Sequence, residues 1–305
     1  MKRIVVICGP TAVGKTEYAI KIAECLDGEI VSADSMQLYK FMNIGSAKPT
    51  AEELLQVKHH LVDEIDPREA FSVAMYQEMA KAAIREIFEK GKTPVISGGT
   101  GLYINSLIYK MDFTAPPGDV AYRKELEKLA EKEGRDAVHS ILLQKSPETA
   151  ARIHPNNLKK VIRALEVIKE SGKSIKPFEE SFVPVDEYSV ALIGLIRSRE
   201  ELYSRINARV DLFMERGLLE EVKNLLEFGL TEADISMKGI GYKEIMQYLK
   251  GEFSLEEAIS LIKQNTRNLA KRQVTWLKRY ENIKWFDLTG GKDPLEEILA
   301  WLKKN

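Results

Sequence analysis

Apolar positions along this chain alternate between two periods, and the alternation lays out strands and helices in turn. Ile4-Val5-Val6-Ile7-Cys8 is an unbroken apolar run of strand length, and Glu29-Ile30-Val31-Ser32-Ala33, Thr93-Pro94-Val95-Ile96-Ser97 and Tyr188 to Ile196 read the same way. Between them the period becomes helical. Ala19, Ile22, Ala23 and Leu26 form one stripe, and Tyr76, Ala80, Ala83, Ile84, Ile87 and Phe88 form another that stops at Gly91. Buried strands separated by amphipathic helices predict an α/β core, a parallel sheet flanked by helices.

Pro116-Pro117-Gly118 interrupts the alternation, and from Asp119 to about Glu187 strand signals vanish. Leu126 and Leu129 lie inside the charged run Tyr122 to Glu133, and Val161, Leu165 and Ile168 recur at helical spacing between Leu158 and Ser171. The pattern predicts an all-helical domain over 119–186, inserted into a core made of 1–118 and 187–305. After it come helices over Arg199 to Gly217, Leu219 to Phe228, Tyr242 to Leu249 and Leu255 to Tyr280. A strand from Ile283 to Phe286 and a terminal amphipathic helix close the chain.

Composition narrows the partners. A 305-residue chain with 44% apolar and 30% charged residues has the make-up of a globular protein and room for two modest domains, or one domain with an insertion. Its net charge of −1 excludes a global electrostatic pull on nucleic acid, so any basic surface must be local. Cys8 and Cys25, in the first strand and first helix, make neither a disulfide framework nor a zinc site. No apolar run approaches the ~18 residues of a membrane span, and the first is too short for a signal peptide, so a cytoplasmic protein without membrane contact is expected. His59 and His60 point opposite ways on a strand and make a poor metal pair.

The chemistry starts at the end of the first strand. Gly9-Pro10-Thr11-Ala12-Val13-Gly14-Lys15-Thr16 fits G-x-x-x-x-G-K-[ST], with a strand before it and a helix after it. In such a loop the backbone N–H groups and the helix N-terminus converge on phosphate oxygens. Lys15 is placed to reach the terminal phosphates and the Thr16 hydroxyl to ligate Mg²⁺. In an open α/β sheet ligands bind outside the carboxyl ends of the strands. Asp34, after the second strand, and Gly98-Gly99-Thr100-Gly101, after the third, therefore face the same site. Asp34 also fits a turn or helix-capping aspartate. Across Arg267 to Tyr280 there are five basic residues and no acidic one, a local positive face.

Together these blocks resemble one family, the tRNA dimethylallyltransferases, also called tRNA isopentenyltransferases. The resemblance rests on Gly9 to Thr16, Asp34-Ser35-Met36-Gln37-Leu38-Tyr39, Asn43 to Pro49 and Gly98 to Tyr103. It continues through Arg152 to Asn156, Arg163 to Glu166, Gly239 to Tyr242 and Lys271 to Trp276. It implies a P-loop NTPase-like core with an inserted helical domain that helps hold the anticodon stem-loop. It implies transfer of the dimethylallyl group from dimethylallyl diphosphate to the exocyclic amine of the adenosine just 3′ of the anticodon, position 37, in tRNAs reading U-initial codons. No obligate protein partner is implied.

On that reading Asp34 is the general base for the amine proton. Diphosphate leaves into the loop, helped by Lys15, by Mg²⁺ on Thr16 and by Arg205 and Arg209, which lie one helical turn apart. A surface ion pair with Glu200, Glu201 or Asp211 is the plainer use for those two arginines. The adenosine must leave its stack. Thr100 is expected near the target base, and Asp34, Ser35, Met36 and Gln37 are expected to read base edges. Arg123, Lys159, Lys160, Arg163, the turn with Gly239 and Gly241, and Lys271 and Arg272 are expected on RNA phosphates. The competing reading is a small-molecule kinase that uses the same loop and Asp34 with ATP, which leaves the acid-free basic stretch unused.

Overall fold

The apolar runs become the middle of one sheet. The computed structural model describes residues 2–111, 113, 119–172, 174 and 182–304. Its strands are β1 (Arg3–Cys8), β2 (Gly28–Ala33), β3 (His59–His60), β4 (Thr93–Gly98), β5 (Ser189–Ile196) and β6 (Lys284–Asp287). Their order in the six-stranded sheet is β3-β2-β4-β1-β5-β6. Every pairing is parallel, so all the carboxyl ends lie along one edge. β1 sits where the chain winds outward in both directions, the switch point at which open α/β sheets bind ligands. Its residues Ile4 to Cys8 are fully buried, as a strand covered on both faces requires.

Helices cover the faces. On one, α1 (Lys15–Cys25), α9 (Arg199–Glu215) and α13 (Leu295–Lys304) bring Ile22, Leu202, Ile206, Ile298 and Leu302 against Val5, Ile7, Ile193 and Leu195. α3 (Val73–Glu89) supplies Tyr76, which stacks on Tyr103 at 3.8 Å and donates to the Ser32 carbonyl at 3.1 Å. α10 (Leu218–Glu227), α11 (Tyr242–Leu249) and α12 (Leu255–Leu277) follow the predicted order, α12 ending before Tyr280. Two helices escape the periodicity. α2 (Ala51–Gln56) buries no residue and rests on a Thr50–Glu53 capping box, while α4 (Gly101–Ile108) is buried from Tyr103 onward and shows no polar face. Among the described residues no helix is long and apolar enough to cross a membrane.

The chain divides into two compact units, Met1–Ile108 with Val185–Asn305, and Tyr109–Pro184. The first cut falls ahead of the expected residue 119. Tyr109 bridges Pro184 in antiparallel fashion and the Lys110 N–H donates to the Val183 carbonyl at 2.8 Å, a pairing that no apolar period announces. Pro116-Pro117-Gly118 lies outside the described residues.

The second unit has its own core. α5 (Val120–Glu133), α6 (Arg135–Lys145), α7 (Pro147–Arg152) and α8 (Leu158–Ser171) enclose Leu126, Val138, Leu142, Val161 and Leu165. Asp119 caps α5, accepting from the Ala121 and Tyr122 N–H groups at 3.0 Å. Arg123, expected on RNA, is forked onto Glu166 by two bonds of 2.8 Å, and Arg163 reaches the same carboxylate at 3.4 Å. Glu166 is 0% exposed, so these cations neutralise a buried charge. Arg123→Ala is expected to cost about 1–3 kcal/mol of stability, the penalty for stripping a partner from a buried charged group. A chemical denaturation curve indistinguishable from wild type would refute that role.

Candidate active site

Gly14 sits at φ 116°, a left-handed conformation that turns β1 into α1 and that a side chain would strain. The first N–H groups of α1 have no intrahelical acceptor and carry the positive end of the helix dipole. The loop's own carbonyls point elsewhere and are braced. Arg205 Nε donates to the Ala12 carbonyl and Arg197 Nε to the Val13 carbonyl, both at 2.9 Å. Gln273 of α12 accepts from the Thr11 N–H at 2.8 Å and donates to the Gly99 carbonyl at 3.1 Å, tying the phosphate loop to the turn after β4. Lys15 spans the loop, its Nζ donating to the Pro10 carbonyl at 2.9 Å. The Thr16 hydroxyl has no hydrogen-bond partner among the described residues.

The ends of β2 and β4 are joined just as tightly. A Cβ on Gly98 would lie 2.2 Å from the Ala33 carbonyl oxygen, so only glycine lets the two strands finish side by side. The Thr100 N–H then donates to the Ala33 carbonyl at 3.1 Å, and the Thr100 hydroxyl accepts from the Ser35 N–H at 3.2 Å. Asp34 Oδ1 accepts from the Met36 N–H at 2.9 Å and the Gln37 N–H at 3.4 Å. Its Oδ2 has no hydrogen-bond partner among the described residues. The turn-capping and the functional roles of Asp34 therefore fall to different oxygens.

Charge gathers around that carboxylate. Burial pushes the pKa of Lys15 down to about 8, with Asp34 opposing the fall and Arg209 adding to it. Arg209 is likewise lowered by burial and by Arg205, and held up by Asp34. Lys15 and Arg209 thus both feel the Asp34 charge, and Arg205 lies close enough to Arg209 to oppose its proton, a positive excess suited to a polyanion. The plainer alternative for the arginines does not form: Glu201 pairs with Arg197, and Asp211 with Lys263 at 2.6 Å. Because Lys15 loses its proton as pH rises through about 8, binding of inorganic diphosphate should weaken above that pH, approaching about tenfold per unit. Calorimetric titration from pH 7 to 9.5 measures it, and a flat profile would separate Lys15 from the anion.

Other expected residues sit differently. Both atoms of the Gln37 amide already make one bond within the protein: Oε1 accepts from the Ser32 hydroxyl and Nε2 donates to the Ala47 carbonyl, each at 3.0 Å. Within the turn of Gly239 and Gly241, expected on RNA phosphates, the Gly241 N–H donates to Glu244 Oε2 at 2.8 Å. Met36 packs on Gly239. Lys159, Lys160, Lys271 and Arg272 are exposed and have no ion-pair partner among the described residues. Sequence reasoning gave no role to Arg197 or Gln273. Arg197 follows β5 as Asp34 follows β2, so the strand-end argument that found Asp34 could also have found it.

This edge of the sheet, with a glycine-rich loop after β1 and a carboxylate after β2, belongs to an α/β protein of P-loop-like fold. The chain belongs to the IPP transferase family, whose model matches residues 37–280. The tRNA dimethylallyltransferase of Alkaliphilus oremlandii is 54% identical over 304 residues, covering 100% of this chain and 97% of that one. That of Clostridioides difficile is 51% identical over 308 residues, with 99% of each chain covered. Among solved structures, the tRNA isopentenylpyrophosphate transferase of Bacillus halodurans matches with a TM-score of 0.74 at 44% identity, over 100% of this chain and 95% of that one. A eukaryotic dimethylallyltransferase acting on tRNA matches with a TM-score of 0.82 at 29% identity, over 95% and 75%.

Proposed function

We propose that this chain transfers a dimethylallyl group from dimethylallyl diphosphate to the exocyclic N6 amine of the adenosine at position 37 of tRNAs reading U-initial codons. The observation that carries the reading is Asp34, whose Oδ2 has no hydrogen-bond partner among the described residues and whose charge is felt by Lys15 and Arg209. The amine's lone pair is delocalised into the ring, so the proton must leave as nitrogen attacks. Asp34 Oδ2 takes it while the N6–C1 bond forms and the C1–O bond to diphosphate breaks. The departing charge falls on Lys15, the arginines and the first N–H groups of α1. The Thr16 hydroxyl, free and at the helix start, fits a Mg²⁺ ligand, and the ion would add its charge to that of Lys15.

The kinase reading uses the same loop and is not favoured by a family whose named relatives are tRNA dimethylallyltransferases. Donor choice tests the proposal. Incubation with bulk tRNA and labelled dimethylallyl diphosphate should move label into tRNA, and transfer from ATP to a small molecule instead would overturn it.

Lys271 and Arg272 supply the RNA-facing prediction. Changing both to Ala should weaken tRNA binding for every tRNA alike and flatten the dependence of log affinity on log salt by about 0.7 to 0.9 per lost phosphate contact. Turnover at saturating tRNA should survive. An unchanged salt slope would make this a merely solvated helix face.

A further inference from the structure

One buried carboxylate lies outside this chemistry. Glu221, in the first turn of α10, is 9% exposed. A charge so placed is costly unless it is fully hydrogen-bonded. Four donors meet it. The Asn43 and Ile44 N–H groups reach Oε2 at 2.8 Å, and the Gly45 N–H at 3.1 Å and the Tyr242 hydroxyl at 2.8 Å reach Oε1. Three successive backbone N–H groups closing on an anion make a nest, here filled by the protein's own side chain. Its fit is tight, since a Cβ on Gly45 would lie 2.7 Å from the Tyr242 ring. Burial and the adjoining Glu221 hold the Tyr242 pKa well above the usual phenol value, which keeps the hydroxyl a donor.

The anchored loop leads back to Asp34. Lys48, its side chain 4% exposed, donates to Asn43 Oδ1 at 2.9 Å and pairs with Asp63. The Ala47 N–H closes onto the Ile44 carbonyl at 3.0 Å, and the Ala47 carbonyl accepts from Gln37 Nε2 at 3.0 Å. The Gln37 N–H in turn donates to Asp34 Oδ1. From the other side Met36, whose N–H donates to the same oxygen, rests on Gly239, beside the Tyr242 ring.

We infer that Glu221, held by Tyr242, is a positioning residue that fixes the 43–47 loop and, through Gln37 and Met36, the orientation of the Asp34 carboxylate. The inference rests on the reading of Asp34 as general base. It explains why a loop with no reacting group is pinned by a buried charge.

A mutant cycle tests it. Glu221→Gln keeps the shape but turns an NH₂ donor toward groups that are themselves donors. It should lower kcat about 10-fold to 100-fold with the KM for dimethylallyl diphosphate unchanged, and it should add little in an Asp34→Ala background, as expected of residues acting as one unit. Tyr242→Phe, which removes one donor and leaves the carboxylate in its nest, should show the same split with a smaller loss. Hydrogen exchange gives an independent readout: amides at 36–37 and 43–47 should exchange faster in Glu221→Gln, while those at 9–16 do not. Equal losses in both backgrounds, or unchanged exchange at 36–47, would overturn the inference. Should Asp34→Ala itself turn over normally, the general-base reading falls, and exchange alone decides whether Glu221 anchors the loop.

Discussion

Replacing Asp34 by Asn will lower turnover roughly 10²- to 10⁴-fold, the usual worth of a positioned acid or base. Asn is the sharper substitution because its carbonyl oxygen still accepts from the Met36 and Gln37 N–H groups, as Oδ1 does now. The turn is kept, and what is lost is the free oxygen that would take the amine proton. Single-turnover measurement at saturating tRNA and donor isolates that step. Binding of tRNA should change little. Wild-type rates in a folded Asp34→Asn protein would remove the general base from the mechanism.

The second large effect belongs to the cations. Lys15→Ala should cost about 10²- to 10³-fold in turnover, on the scale of removing one preorganised donor to developing charge. Arg209→Ala should cost a similar amount, because Arg209 has no hydrogen-bond or ion-pair partner among the described residues and lies close enough to Lys15 and Asp34 for their charges to be felt. Arg205→Ala should behave otherwise. Its Nε also holds the Ala12 carbonyl, so loosening the loop should raise the KM for dimethylallyl diphosphate as well as lower kcat. Steady-state kinetics on the three variants separates these cases. A normal response to dimethylallyl diphosphate in Lys15→Ala would mean that the loop serves another ligand.

The apolar runs made the central strands legible, and with them the site residues at the ends of β1, β2 and β4, though not Arg197 at the end of β5. Gly9 to Thr16 was found by its motif, and Asp34 and the Thr100 turn by position, because a parallel sheet delivers its carboxyl ends to one edge. What stayed hidden depends on long-range pairing of charge. Nothing local distinguishes Arg123 from Lys159, yet the first is committed to Glu166, 43 positions away, and the second is exposed. Glu221 looks like any acid in a first helical turn until the Asn43 to Gly45 backbone closes around it. Gln37 reads as a free amide because its partners, Ser32 and Ala47, are main-chain and hydroxyl groups that carry no signature.

The bracing of the phosphate loop also bears on how this protein is made. Its strand and loop leave the ribosome well before their braces, for Arg197 reaches Val13 across 184 positions, Arg205 reaches Ala12 across 193 and Gln273 reaches Thr11 across 262. At ordinary elongation rates Gln273 follows Thr11 by on the order of tens of seconds. Until β5 arrives, β1 has only β4 to pair with, and its other side is an open edge. A nascent or truncated chain ending before the last long helix would therefore carry the complete motif in a loop that lacks its tie to the turn after β4. Competence to bind diphosphate should appear late in synthesis, with the final third of the chain.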